Sequence, residues 1–318
     1  MSKKVYIGLD VGSKTCHLVA VDEGGAMLTQ SKFLTSEANL IAAVSRLPGE
    51  VYLHLEASEL AGWVRGVLQA QEGVAHVAVS HPKANAWIAK DPLKGDRVDA
   101  GKLAELLRMG RVHQVYYPDD DHRREFKQLV RHYDDVTAQQ VRLKQKIKAS
   151  LRAQGIIVRG KGLYSPQGLQ AALERVRSPG VRKIIEQLYR LLCETLRAQQ
   201  QAKRLMAQAA RRFPEIARFR QVPGVGLIGA CRFSAYVQNP HRFSSKRKLW
   251  RYCRLGITDR SSDSQPLGYR RLDRSGNGRL KDMSRKAFEA AMKTKEDHAF
   301  KRCFRRSLQR TQTTDMRG

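Results

Sequence analysis

Val5-Tyr6-Ile7-Gly8-Leu9-Asp10-Val11-Gly12 is an apolar run that closes on an acid and a glycine. It reads as a buried β-strand that carries Asp10 to its carboxyl end, with a turn beyond. Thr15-Cys16-His17-Leu18-Val19-Ala20-Val21 reads as a second strand, and Asp22-Glu23-Gly24-Gly25 turns it into a third at about residues 26–33. Ser36 with Asn39 opens a helix that ends near Leu47-Pro48-Gly49. Val51 to Glu56 is a fourth strand, Leu60 to Gln71 a helix, Ala75 to Ser80 a fifth strand, and helical segments follow near 83–89 and 97–109. Three antiparallel strands followed by alternating helix and strand predict an α/β domain with a mixed sheet. Open α/β sheets collect ligands at the carboxyl ends of their strands. Asp10 and Glu56 both fall there.

Lys94-Gly95-Asp96-Arg97-Val98-Asp99-Ala100 opens the last of these helices. Residues three apart share a helix face, so Asp96 and Asp99 lie one turn from each other. Acids this close repel unless a cation sits between them. The plainer alternative is that first-turn acids complement the helix dipole. Asp10, Glu56, Asp96 and Asp99 are expected to converge at one edge of the sheet. A set of oxygen donors with no His or Cys suits Mg²⁺ rather than zinc. Phosphodiester cleavage needs charge stabilised on the attacking and leaving oxygens, which two such ions about 3.5–4 Å apart accomplish. Glu59, Asp91 and Glu105 are nearby acids that compete for membership.

The chain of 318 residues is long enough for two domains. Its net charge of +29 is unevenly spread. Residues 1–120 hold 13 basic and 14 acidic side chains, whereas residues 121–318 hold 46 and 16. A near-neutral front and a strongly basic back predict a division of labour, with a polyanion, nucleic acid first, held by the back half. A basic membrane-binding surface would need an amphipathic anchor or a lipidation signal, and neither is found. Five scattered cysteines (Cys16, Cys193, Cys231, Cys253, Cys303) have no zinc spacing and read as reduced structural thiols. With no signal peptide or spanning apolar run, a cytoplasmic protein is expected.

In the back half, residues 122–154 read as a long charged helix and Gly155 to Gly168 as a loop. Val181, Ile185, Leu188, Leu192, Thr195, Gln199, Ala202, Met206 and Ala209 recur at spacings of four and three. This is a coiled-coil seam weakened by Thr195 and Gln199. The two long helices are expected to pair as an antiparallel hairpin, an intermolecular coil being the alternative, with Pro214 closing the second. Val222-Pro223-Gly224-Val225-Gly226 before a helix at Leu227 to Val237 matches either the phosphate-facing turn of a helix-hairpin-helix or an ordinary helix–helix turn. Phe243 to Cys253 is a helix that interleaves Lys246, Arg247, Lys248 and Arg251 with Trp250 and Tyr252, a pattern that suits nucleic acid. A polar loop spans 258–278, helix resumes at 279–293, and the basic tail at 296–318 reads as disordered or ordered by nucleic acid.

Gly8-Leu9-Asp10-Val11-Gly12, Leu55-Glu56-Ala57 and Lys94 to Ala100, in this order, resemble the signature of the DEDD-type insertion-sequence transposases, a family that includes Piv-like DNA invertases. The back half is similar to that family's C-terminal domain. The matching features are the Val222 to Gly226 entry, the Phe243 helix, Leu255-Gly256-Ile257, and a serine-rich loop followed by Gly276-Asn277-Gly278-Arg279-Leu280. The resemblance implies a RuvC-like, RNase H-type domain over 1–115. A coiled-coil hairpin would follow over 121–213, then a helical transposase domain over 214–295 and the tail. It implies strand cleavage and exchange on double-stranded DNA, at element ends and target, with Mg²⁺ on the four acids. It also implies a serine nucleophile and homo-oligomers, dimers assembling to tetramers, in which acids and serine come from different subunits. For transposon members it further implies a structured guide RNA encoded by the element. The family's Ser-Gly-x-Lys loop is here Ser261-Ser262-Asp263-Ser264-Gln265, which selects Ser262, with Ser264 under a shifted gap and Ser261 as the remaining candidate. Arg260, Arg270 and Arg271 are placed to stabilise phosphate charge. The rival reading is a nucleic-acid-binding protein without catalysis. A sugar-kinase-like ATPase, which shares Asp-x-Gly after a first strand, lacks a second glycine motif and has no use for the basic half.

Overall fold

The computed structural model describes residues 3–82, 95–118, 120–258, 261–262, 265–266, 271–273 and 275–315. The chain divides into two compact units, 1–117 and 118–318. The first carries β1 (Lys4–Val11), β2 (Thr15–Val21), β3 (Met27–Leu34), α1 (Glu37–Ser45), β4 (Glu50–Glu56), α2 (Ala61–Gln69), β5 (Val74–Ser80) and α3 (Asp96–Arg108). The strands form one five-stranded sheet in the order β3-β2-β1-β4-β5. β1 pairs antiparallel with β2 and parallel with β4, and β4 pairs parallel with β5. The mixed α/β sheet expected from the strand pattern is the observed one, and it is compatible with an RNase H-like domain. The helical segment expected near 83–89 lies outside the described residues.

Both faces of the sheet are covered. One carries the large apolar cluster of Val5, Ile7, Leu9, Leu53 and Leu55 with Leu40, Val64 and Leu68 from α1 and α2. Side chains alternate across a strand, so Tyr6, Gly8 and Asp10 face the other side, where Ala100 and Ala104 of α3 pack with Val19 and Val21. α1 starts as its sequence suggests: Ser36 Oγ accepts from the Asn39 N–H at 3.3 Å.

The second unit is helical. α4 (Asp121–Arg152) and α6 (Pro179–Ala210), of 32 residues each, pair within the chain. Phe126 and Val130 pack with Met206 and Ala210, whereas Ile147 and Leu151 pack with Ile185 and Leu192, so the two helices run antiparallel. Between these apolar ends Gln199 donates to Thr137 Oγ1 at 2.8 Å and accepts from Gln140 at 3.3 Å, so the polar break in the seam is hydrogen-bonded. The remaining helices are α5 (Pro166–Glu174), α7 (Pro214–Phe219), α8 (Leu227–Val237), α9 (Lys246–Tyr252), α10 (Gly278–Lys293) and α11 (Ala299–Asp315).

Three expectations need correction. α5 occupies part of what reads as an extended loop; Ser165 caps it, accepting from the Gly168 N–H at 3.1 Å, and Pro166 takes the first turn where a missing N–H does no harm. Pro214 opens α7 rather than ending α6, for the same reason. The tail is helical over Ala299–Asp315, with Phe304 set edge-on to Phe288 of α10 at 5.2 Å. No helix among the described residues is long and apolar enough to cross a membrane.

Candidate active site

In the parallel β1–β4 pair Gly8 lies opposite His54 and Leu9 opposite Leu55. Asp10 and Glu56, one residue further, therefore end two neighbouring strands at the same level. Adjacent strands lie about 4.8 Å apart. Both acids sit on the face that carries Gly8 and His54, and both are half-buried.

Gly8 explains why α3 reaches this edge. A Cβ on Gly8 would stand 1.8 Å from the Ala100 carbonyl oxygen and 2.5 Å from the Ala104 nitrogen. The helix backbone thus rests directly on the strand, two residues before Asp10. Its carboxyl end lies by the β2–β3 turn, where Arg108 donates to the Glu23 carbonyl at 3.3 Å. That turn is at the amino end of β1, because the Lys4 N–H donates to Glu23 Oε1. α3 therefore runs against β1, and its first turn points toward the carboxyl ends of β1 and β4. The Asp99 N–H closes that turn on the Gly95 carbonyl at 2.9 Å. Asp99, next to Ala100, is half-buried; Asp96 starts the helix, and its side chain lies outside the described residues. The fold brings Asp10, Glu56 and the acidic first turn of α3 to one sheet edge. Among the described side chains, which do not include that of Asp96, no three His, Cys, Asp or Glu are close enough to hold a metal ion.

Glu105 binds Arg108 through bonds of 2.7 and 3.0 Å, and Glu59 is exposed; Asp91 lies outside the described residues.

Sequence reasoning missed His54. It is fully buried; Nδ1 lies 2.8 Å from the Leu103 carbonyl and Nε2 2.8 Å from Ser80 Oγ. A carbonyl only accepts, so Nδ1 carries the proton and Nε2 accepts from the serine hydroxyl. Burial holds the imidazole below its ordinary proton affinity, against the Leu103 hydrogen bond, which raises it. One neutral ring thus ties α3 to β4 and β5 beneath the acids. The signal in the sequence was a polar residue on a strand with apolar residues on both sides.

The serine loop is built on backbone pairing. β6 (Ile257–Thr258) pairs with β9 (Arg271–Leu272), and between them β7 (Ser261–Ser262) pairs with β8 (Gln265–Pro266), Ser262 opposite Gln265. The side chains of Ser261 and Ser262 lie outside the described residues, as do Ser264, Arg260 and Arg270. Downstream, Asn277 caps α10, accepting from the Arg279 and Leu280 N–H groups at 2.9 and 3.3 Å. Asp273 accepts from the Ser275 hydroxyl and N–H and from Arg251, which hold its carboxyl at about 2.

Some expected nucleic-acid features are used internally. Gly224, at φ +81°, has the α10 backbone against it: a Cβ would lie 2.0 Å from the Ala287 carbonyl oxygen. Tyr252 turns inward, its hydroxyl donating to the Tyr236 carbonyl at 3.1 Å, whereas Trp250 stays exposed. Burial pushes the Cys231 and Cys253 thiols to about 11, which removes them as nucleophiles at neutral pH.

The second unit also buries a carboxylate that the sequence did not disclose. Asp134, on α4, accepts from Arg232 Nε and Nη2 at 2.8 and 2.5 Å and from the Tyr236 hydroxyl at 2.9 Å. Arg279, from the Gly276 to Leu280 motif, approaches the same carboxylate at 3.7 Å. The motif thereby joins α10 to α4 and α8.

Residues 7–154 match the DEDD family model of the IS110 group, described as a transposase. Residues 216–302 match a second model, described as Transposase IS116/IS110/IS902 family. A Sinorhizobium fredii protein named as a transposase, y4qE, is 26% identical over 290 residues, covering 88% of this chain and 70% of its own length. The fold, the acidic edge and these matches define a transposase, a class that cleaves and transfers DNA strands. More narrowly, the chain belongs to the IS110 family of insertion-sequence transposases.

Proposed function

We propose that this transposase cleaves and exchanges DNA strands with a carboxylate site of Asp10, Glu56, Asp96 and Asp99 and a serine nucleophile, Ser262. The observation that carries the reading is the β1–β4 register together with the seating of α3 on Gly8, which supports convergence of the acids. Their donor set is all oxygen, which fits Mg²⁺. When bound, the cation would polarise a phosphoryl oxygen and stabilise charge on the leaving oxygen. The Ser262 hydroxyl would attack the phosphorus, forming a phosphoserine and releasing a strand end as a hydroxyl. A hydroxyl from the second strand would then attack the phosphoserine and restore the serine. The basic half supports polyanion binding, DNA first, with an element-encoded structured RNA and a second copy of the chain as further partners.

The test uses a supercoiled plasmid carrying the native flanks of the coding region, incubated with Mg²⁺. The wild type is expected to leave a protein–DNA adduct after denaturation, Ser262→Ala none, and Asp10→Asn none. Normal adduct in the Ala variants of Ser261, Ser262 and Ser264 alike would dispose of the serine role. Salt-sensitive binding with no cleavage by the wild type would favour binding without catalysis.

A further inference from the structure

Asp10 is opposite His17 in the β1–β2 pair, and His17 is opposite Lys32 in the β2–β3 pair. Residues paired across strands point to the same face of a sheet. Asp10, His17 and Lys32 therefore form one row on the acid-bearing face. Two residues back along β1, Gly8, Val19 and Gln30 form the next row. α3 packs on Val19 and Val21, whereas Gln30 and Lys32 are exposed. Arg108 marks the side of α3 that looks toward the β2–β3 turn. Gly101, two turns earlier on that side, has open space around it: a Cβ there would meet nothing within 4 Å. The two rows thus continue past the helix onto β3. A cleft of about 270 Å³ lies over them, and His17, Val19, Gln30 and Lys32 are among its lining.

A lysine on an edge strand discourages pairing with another sheet. That accounts for one exposed charge, but not for a polar cleft in line with the acids. Among the described residues neither the Lys32 ammonium nor the Gln30 side-chain amide has a hydrogen-bond or ion-pair partner. The two lie on one face of β3, about 7 Å apart along the strand. An ammonium and an amide so placed can donate to one group with several acceptor oxygens, and the charge makes that group an anion. Lys32 stands two strand spacings from Asp10, about 10 Å. That is too far to share a phosphate held at the acids, and it suits the next one along the same backbone.

We propose that Lys32, aided by Gln30, seats a phosphodiester beside the one that reacts at Asp10, on the same DNA strand. The proposal rests on the reading of Asp10 and Glu56 as cation-holding acids and extends their site across β2 and β3. Lys32 is a positioning residue: it holds the strand and does not touch the reacting atoms. A point charge on a phosphate fixes the strand without reading its sequence.

The experiment follows adduct formation by the full chain on the plasmid with native flanks, in Mg²⁺, over a range of DNA concentration and of salt. Binding to the labelled flank duplex and to a structured RNA hairpin is measured beside it. Lys32→Met is expected to raise the half-saturating DNA concentration about tenfold at low salt. The rate at saturation should be unchanged, since the reacting phosphate is not touched. The slope of log affinity against log salt should fall by about 1 on the duplex, and Lys32→Arg, which keeps the charge, should restore it. The melting temperature should hold, because Lys32 is exposed. Wild-type half-saturation and slope in Lys32→Met would overturn the seat. So would a loss confined to the RNA hairpin, or a collapse of the rate at saturation, which would put Lys32 on the reacting phosphate. Absence of any adduct from the wild type would overturn the proposed catalysis itself, and the seat with it.

Discussion

The two units place their chemistry-bearing side chains by different means. In residues 1–117 Asp10 and Glu56 are positioned by strand register, and α3 is laid over them because Gly8 has no side chain. In residues 118–318 the helices are drawn together around one buried carboxylate, Asp134, and Gly224 receives α10 as Gly8 receives α3. Strand register is set by the backbone and places its acids at the sheet edge without making them the centre of the packing. A buried carboxylate that holds three helices is committed to structure.

The largest stability effect is therefore expected in the second unit. Asp134→Ala leaves the buried Arg232 with only the more distant Asp282, at 3.8 Å, as counter-ion and should lower unfolding stability by about 3–5 kcal/mol in urea denaturation. A fall below about 1 kcal/mol would mean that apolar packing, not the carboxylate, sets the helix positions. Next come the glycine seats. Gly8→Val and Gly224→Val both drive a Cβ into helix backbone and should each cost about 3 kcal/mol. Gly224→Val carries the further strain of a positive φ. Only Gly8→Val should abolish strand cleavage at temperatures where the fold persists.

A smaller effect belongs to His54. His54→Phe removes its hydrogen bonds to Ser80 Oγ and the Leu103 carbonyl, about 1–3 kcal/mol, and His54→Gln, which keeps a donor and an acceptor, should lose less. The smallest effect is on pH. Burial lowers the proton affinity of folded His54, so below the ordinary imidazole value of about 6.5 the unfolded chain takes up the proton more readily. The stability contributed by the neutral ring is full above that pH and declines as pH falls toward the folded value. The His54→Gln variant should show a flatter melting-temperature profile across roughly pH 5 to 7, the window in which imidazole titrates.

How much of this was legible follows from the same contrast. Apolar runs bounded by turn residues exposed the five strands, and strand ends exposed Asp10 and Glu56. Helical period exposed the long pair α4 and α6, whose apolar positions repeat. His54 was not legible, because its partners lie 26 and 49 residues away and belong to other elements. Asp134 was not, because it adjoins Asp135 on a highly charged helix, and only the packing of α8 and α10 decides which is buried. The start of α5 was hidden because the glycines from Gly155 to Gly168 read as loop, although Ser165-Pro166 is a start signal in its own right.

The claim on which the rest depends is that the acids at the β1–β4 edge hold a divalent cation. Mn²⁺ binding, followed by paramagnetic resonance of the free ion against the full chain, tests it without need of a substrate. The account predicts saturable binding by the wild type and its loss in both Asp10→Asn and Asp99→Asn, with melting temperatures unchanged or raised. Wild-type Mn²⁺ binding in both folded variants would contradict it.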